Sequence, residues 1–196
     1  MGKHYYRKHY GWGVILLLLA VIAGGLLISY KSGWLSRAGQ AAISAQPGLY
    51  SINHFVDGDT IAVNMNGKVE KVRFVGVDTP ETHKPNTPVQ CYGPAAAAFT
   101  KSTIGSQRVR LVSDSLSTDR DRYDRLLRYV YLPDGTLVNE KLIQEGYGFY
   151  YPYFPFTKSA QFSADEQAAI AAHKGLWASC HPTPTDSGGY VSNPQT

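Results

Sequence analysis

Asn66-Gly67 stands between two runs rich in β-branched residues, Thr60–Met65 and the stretch that begins at Lys68. Asn-Gly readily takes the positive φ angles of a two-residue turn, so the two runs are expected to fold back on each other as a hairpin. Tyr50–Val56 precedes them as another strand, and Val69, Val72, Phe74 and Val75 carry the third strand to Val77. The pattern changes at Gly93-Pro94, where a proline suited to a helix start opens an Ala-rich segment to Ile104. Arg108–Val112 and Leu126–Leu132 read as two more strands. Leu137–Gly146 and Ala160–Lys174 read as helices that close on glycine. Strands this short, in this order with three helices, predict an α+β fold: a five-stranded barrel packed with three helices.

Composition bounds what surrounds that barrel. The chain has 196 residues with a formal net charge of +4. Lys3, Arg7, Lys8, Lys31 and Arg37 are the only charged residues before residue 46, a local charge of +5, so the remainder carries 4 − 5 = −1. The barrel therefore has no global basic field, and contact with a polyanion has to come from a local site. No internal repeat is present, and two cysteines exclude a disulfide scaffold or a four-sulfur zinc centre. His54, His83, His173 and His181 form no zinc-ligand spacing.

Between Lys8 and Lys31 the chain carries no Asp, Glu, Lys or Arg. About 20 apolar residues cross a bilayer as a helix, and Tyr10, Trp12 and Tyr30 sit where interfacial aromatics are found. Residues 11–30 are expected to be a transmembrane anchor, residues 1–10 a short cytoplasmic amino terminus, and 31–48 a linker. A cleaved signal peptide is the alternative, with Ala41-Ala42-Ile43-Ser44-Ala45 as a place for cleavage. Either one exports the folded part, expected over residues 49–180 and followed by a flexible tail over 181–196.

Two acidic segments, Val56-Asp57-Gly58-Asp59-Thr60 and Val77-Asp78-Thr79-Pro80-Glu81-Thr82, lie at the edges of predicted strands. Separated carboxylates with a backbone carbonyl are what a hard divalent cation requires. Arg73 lies five residues before Asp78, and Arg125 closes Asp121-Arg122-Tyr123-Asp124-Arg125. Guanidinium forks match phosphate oxygens and can stabilise charge developing on phosphorus. Taken singly, the aspartates suit a turn and each arginine suits a surface ion pair.

In order, Asp57-Gly58-Asp59-Thr60, Arg73-Phe74, Val77 through Thr82, Tyr92-Gly93-Pro94-Ala95, Asp121 through Arg125, Val138-Asn139-Glu140 and Gly175-Leu176-Trp177 are present. That ordered set resembles the thermonuclease, or staphylococcal nuclease-like, family over roughly residues 50–180. The resemblance implies an OB-fold barrel with three helices and calcium-dependent hydrolysis of phosphodiester bonds in DNA and RNA, leaving 3′-phosphate ends. It implies that Asp59, Asp78 and the Thr79 carbonyl hold Ca2+. It further implies that Glu81 acts as general base, that Arg73 and Arg125 clamp the phosphate, and that Tyr123 lies beside the nucleotide. The sequence departs from the family where Asp124 and Leu126 replace glycines, and Asp124 adds a carboxylate beside Arg125.

Residues 147–156 hold seven aromatics, of which most are expected to cover the barrel. Tyr151 and Tyr153 are the picks for the nucleotide side, since one stacked base is worth about 1–3 kcal/mol. Cys91 and Cys180 are expected to bond to each other in an oxidising exterior. The partners implied are a nucleic-acid substrate and a membrane, and no protein partner is inferable. A catalytically silent nucleic-acid- or protein-binding module on the same barrel is the rival reading, because a fold does not fix a function.

Overall fold

The computed structural model describes residues 48–82, 88–186 and 188–194. The expected anchor over 11–30 lies outside them, as do residues 1–10 and nearly all of the linker. Among the described residues no helix is long and apolar enough to cross a membrane.

The chain forms β1 (Leu49–Phe55), β2 (Thr60–Met65), β3 (Lys68–Phe74), β4 (Val77–Asp78) and α1 (Gly93–Ile104). There follow β5 (Val109–Val112), β6 (Leu126–Tyr131), α2 (Val138–Gln144), β7 (Phe149–Tyr150) and α3 (Ser159–Ala171). Last come the single turn α4 (Leu176–Ser179) and the strands β8 (Thr183–Pro184) and β9 (Tyr190–Val191). Asn66 at φ 51° and Gly67 at φ 78° make the expected β2–β3 turn, with Met65 opposite Lys68. β3 pairs in parallel with β6, β6 pairs antiparallel with β5, and β5 returns to β1. The five strands thus close into a barrel in the order β1-β2-β3-β6-β5, an OB-like α+β fold.

The core runs through barrel and helices together. Ile61, Val63, Val72, Phe74, Val109 and Val130 from the strands meet Ile104 of α1, Leu142 and Ile143 of α2, and Phe162 of α3. Each large side chain buried there is worth about 1.5–3 kcal/mol. Asn139 is buried among them and fully employed. Its Oδ1 accepts from the Val130 N–H at 2.9 Å, and its Nδ2 donates to the Val75 and Arg128 carbonyls. It thereby ties α2 to the end of β3 and to β6.

Three expectations are corrected. The third strand does not reach Val77 unbroken, because Gly76 takes φ 74°. A Cβ there would lie 2.5 Å from the Phe156 ring, so the backbone turns where the aromatic ring presses on it. Val77 and Asp78 pair instead with β7. The last long helix ends at Ala171 rather than Lys174, and Gly175, at φ 52°, leads into α4. The expected flexible tail over 181–196 is, in its described part, a paired hairpin. β8 and β9 face each other, and Pro194 bridges back to Gln90.

A second, smaller apolar cluster lies under that hairpin. It joins Phe149, Leu176 and Cys180 with Cys91, Tyr92, Trp177 and Tyr190. The Cys91 and Cys180 sulfurs are bonded to each other across 89 residues of sequence, as expected.

Candidate active site

The two acidic segments meet through hydrogen bonds between their side chains and backbone. Asp59, just ahead of β2, is 6% exposed. Its Oδ2 accepts from the Thr79 N–H at 2.8 Å and from the Thr79 hydroxyl at 3.1 Å. Gly58 permits this approach, since a Cβ there would lie 2.7 Å from the Thr79 hydroxyl. Asp57 Oδ1 accepts from Thr82 Oγ1 at 3.1 Å, a second tie between the segments.

Arg73 closes the group. Its Nε lies 3.1 Å from Asp59 Oδ1 and its Nη2 2.6 Å from Asp78 Oδ1. Its Nη1 donates to the Phe74 and Val77 carbonyls at 2.8 and 2.6 Å. Burial by itself would weaken this cation, but Asp59 and Asp78 outweigh it and hold the guanidinium above its ordinary value. The same residue is therefore a structural tie from β3 to β4 and a charge at the site.

One arginine does not balance the acids. Asp57, Asp59, Asp78 and Glu81 lie within electrostatic reach of one another or of Arg73. Burial, then the Asp59 carboxylate, push Asp57 up to about 6. Excess carboxylate oxygen of this kind suits a hard divalent cation, so the residues present fit the calcium that the resemblance implies. Among the described residues no three His, Cys, Asp or Glu side chains converge on a single point. The Asp59 and Asp78 carboxylates and the Thr79 carbonyl are the groups that would hold the ion.

Next to the acids opens a cleft of about 520 Å³. Arg73, Arg125, Tyr123 and Tyr151 line it, together with Leu116 and Phe154. Tyr123 is 64% exposed, and the guanidinium carbons of Arg122 and Arg125 lie 4.8 and 5.4 Å from its ring centre. The Arg73 guanidinium lies 5.9 Å from the Tyr151 ring, and burial followed by the Asp78 charge raises that phenol. Tyr153 is not on the cleft wall. Its hydroxyl bonds Thr185 Oγ1 at 2.8 Å, while its ring packs 4.7 Å from Tyr151. Phe154, with its ring 6.0 Å from that of Tyr151, joins Tyr151 on the cleft wall in place of Tyr153. Tyr147, Phe149 and Phe156 pack inward on Phe99, Trp177 and Phe162.

The carboxylate beside Arg125 is Asp121, not Asp124. Asp124 takes the left-handed backbone that glycine would supply, at φ 63°, and turns outward to Arg120 at 3.5 Å. Leu126, in place of the second glycine, is a buried residue that starts β6. Asp121 and Asp57 are the site residues that sequence reading passed over. The signal for Asp121 was an acid four residues ahead of an arginine across a turn-forming segment.

A family model described as staphylococcal nuclease homologue matches residues 71–179. This chain belongs to the staphylococcal nuclease homologue family. The matched span holds Arg73, Asp78, Thr79, Glu81, Tyr123 and Arg125. Within the family, the chain is 39% identical over 168 residues to a thermonuclease of Staphylococcus hyicus, covering 84% of this chain and 95% of that one. It is 42% identical over 134 residues to a thermonuclease of Staphylococcus intermedius, covering 68% and 76%. It is also 42% identical over 145 residues to the endonuclease YncB of Bacillus subtilis (strain 168), covering 73% and 64%.

Proposed function

We propose that this chain is a nuclease that hydrolyses phosphodiester bonds of DNA, RNA or both with bound calcium, outside the cytoplasm. The observation that carries the reading is Arg73, one side chain shared between the acid cluster and the aromatic-lined cleft that also holds Arg125. A phosphate held in that cleft would lie against both arginines, with a base beside Tyr123. The names of the relatives, thermonuclease and endonuclease, support the same activity.

In this reading Asp59, Asp78 and the Thr79 carbonyl would hold calcium, which would offset phosphate charge and polarise the scissile group. Glu81 takes a proton from the attacking water as its oxygen bonds to phosphorus. Arg73 and Arg125 hold the equatorial oxygens as charge gathers there. The bond to the 5′ oxygen breaks, that oxygen is protonated from solvent, and a 3′-phosphate remains. The apolar composition of residues 11–30 supports a domain outside the cell, as an anchored protein or as a secreted one after cleavage.

The test is steady-state hydrolysis of DNA and RNA by the full chain, with calcium and with chelator, alongside Arg73→Lys, Arg125→Lys and Glu81→Gln. Lysine offers a point charge without the planar fork. Each variant is expected to lose roughly 100- to 1000-fold in turnover while remaining folded by thermal melt. Absence of hydrolysis by the wild type with calcium would leave the silent binding module. Near wild-type turnover in all three variants would refute the residue roles. Protease shaving of intact cells is expected to digest the domain, and full protection would refute its placement outside.

A further inference from the structure

Glu81 is held from behind by a residue that has no place in the chemistry above. The Glu81 N–H donates to Gln90 Oε1 at 2.7 Å, and the Gln90 N–H donates to the Glu81 carbonyl at 2.9 Å. Both backbone polar groups of Glu81 are therefore fixed by one residue nine positions away. Among the described residues the Glu81 carboxylate itself makes no hydrogen bond or ion pair. Backbone pinned and head group unspent is the arrangement a proton acceptor needs to reach a bound water.

Gln90 is in turn anchored by the carboxy-terminal hairpin. Pro194 bridges Gln90, the Cys91 N–H donates to the Asn193 carbonyl at 2.8 Å, and Ser192 Oγ donates to the Cys91 carbonyl at 2.7 Å. Asn193 Nδ2 reaches the Cys180 and His181 carbonyls, so the segment that follows β9 spans both ends of the Cys91–Cys180 link. Tyr190 seats the hairpin, with its ring 4.8 Å from that of Trp177 and 6.2 Å from that of Phe149. Phe149 is the register partner of Asp78. The hairpin therefore braces both sides of the site, Glu81 through Gln90 and Asp78 through β7.

We propose that Gln90 is a positioning residue for Glu81, kept in register by the β8–β9 hairpin and the residues that follow it to Pro194. This rests on Glu81 being the base. A group held to within a fraction of an ångström reacts far faster than one free to swing, and about 1 Å of misplacement can cost about 100-fold. Gln90→Ala removes the acceptor for the Glu81 N–H and is expected to lower kcat by about 10- to 100-fold with KM within about twofold. Gln90→Glu retains an acceptor oxygen and is expected to recover most of that loss.

The deciding measurement is the cycle of Gln90→Ala, Glu81→Gln and the double variant, with thermal melts confirming that each is folded. If Gln90 acts through Glu81, adding Gln90→Ala to Glu81→Gln costs no more than about twofold. The same loss in both backgrounds would reduce Gln90 to a general structural role and overturn the proposal. So would a Gln90→Ala kcat within about twofold of wild type while Glu81→Gln is crippled. If Glu81→Gln alone keeps its turnover, the base assignment falls first, and this inference falls with it.

Discussion

Arg125 Nε and Nη2 both lie 2.7 Å from one oxygen, Oδ2 of Asp121. Asp121 Oδ1 meanwhile accepts from the Tyr123 and Arg125 N–H groups at 2.9 and 3.0 Å. One carboxylate thus shapes the turn and orients the arginine it presents. Asp121→Asn keeps an acceptor for the turn but loses the charge that aims the guanidinium. Turnover is expected to fall by about 10-fold with the fold retained, because an unaimed charge is worth less to a transition state. Kinetics paired with thermal melts will check this, and unchanged turnover would show that Arg125 aims itself.

Asp114 joins the two loops that wall the cleft. It accepts from the Leu116 and Ser117 N–H groups on one side, and from the Thr157 N–H, the Thr157 hydroxyl and the Tyr129 hydroxyl on the other. Burial works against its charge, but these donors outweigh it and hold the carboxyl down at about 2. The stability it contributes is present above the ordinary carboxylate range and is lost as pH falls through about 2. Asp114→Ala strands several donors and is expected to cost about 2–4 kcal/mol, with a raised KM as the loops separate. Denaturant titration and KM together will test it. A loss below about 0.5 kcal/mol would mean that the loops do not depend on it.

Glu166 is buried in α3, where it accepts from the Tyr150 N–H at 2.9 Å. Burial pushes its carboxyl up from 4.5 to about 7, a shift that the single hydrogen bond only partly opposes. The folded protein holds this proton where the unfolded chain releases it. Stability from Glu166 is therefore full below pH 4.5 and is lost as pH rises through about 7, by no more than about 3 kcal/mol. Glu166→Gln keeps an oxygen for Tyr150 and carries no charge. Melts from about pH 5 to about pH 8 are expected to decline for the wild type and to decline less for the variant. Parallel curves would refute the assignment.

The Cys91–Cys180 link closes a long loop, with a sequence separation of 89. In the chain-entropy model, opening it costs about 4–5 kcal/mol, a limit that native strain would lower. Reductant is expected to lower the melting temperature, and alkylation of the unreduced, unfolded protein is expected to find no thiol. Two alkylatable thiols in mass spectrometry would refute the bond.

What the sequence determined by itself was whatever rests on a few neighbouring residues. Asn66-Gly67 specified its hairpin because those two residues tolerate the positive φ that the turn requires, and Pro94 marked the start of α1 because its missing N–H costs nothing there. The ordered acidic and arginine motifs also pointed to Asp59, Asp78 and Arg73 before any contact was visible. The tertiary structure decided what depends on distant groups meeting. The parallel β3–β6 pairing and the β5–β1 closure join segments tens of residues apart, and only burial of a shared core selects them. Gly76 broke the third strand because Phe156, far along the chain, occupies the space a side chain would need. Asp121 rather than Asp124 paired with Arg125 because the left-handed backbone at residue 124 sends that carboxylate outward. Gln90 came to hold Glu81 because a hairpin a hundred residues later packs behind it. Local propensity is written in adjacent residues, whereas the direction of a side chain at a site is set by backbone turns and by the elements that pack around them.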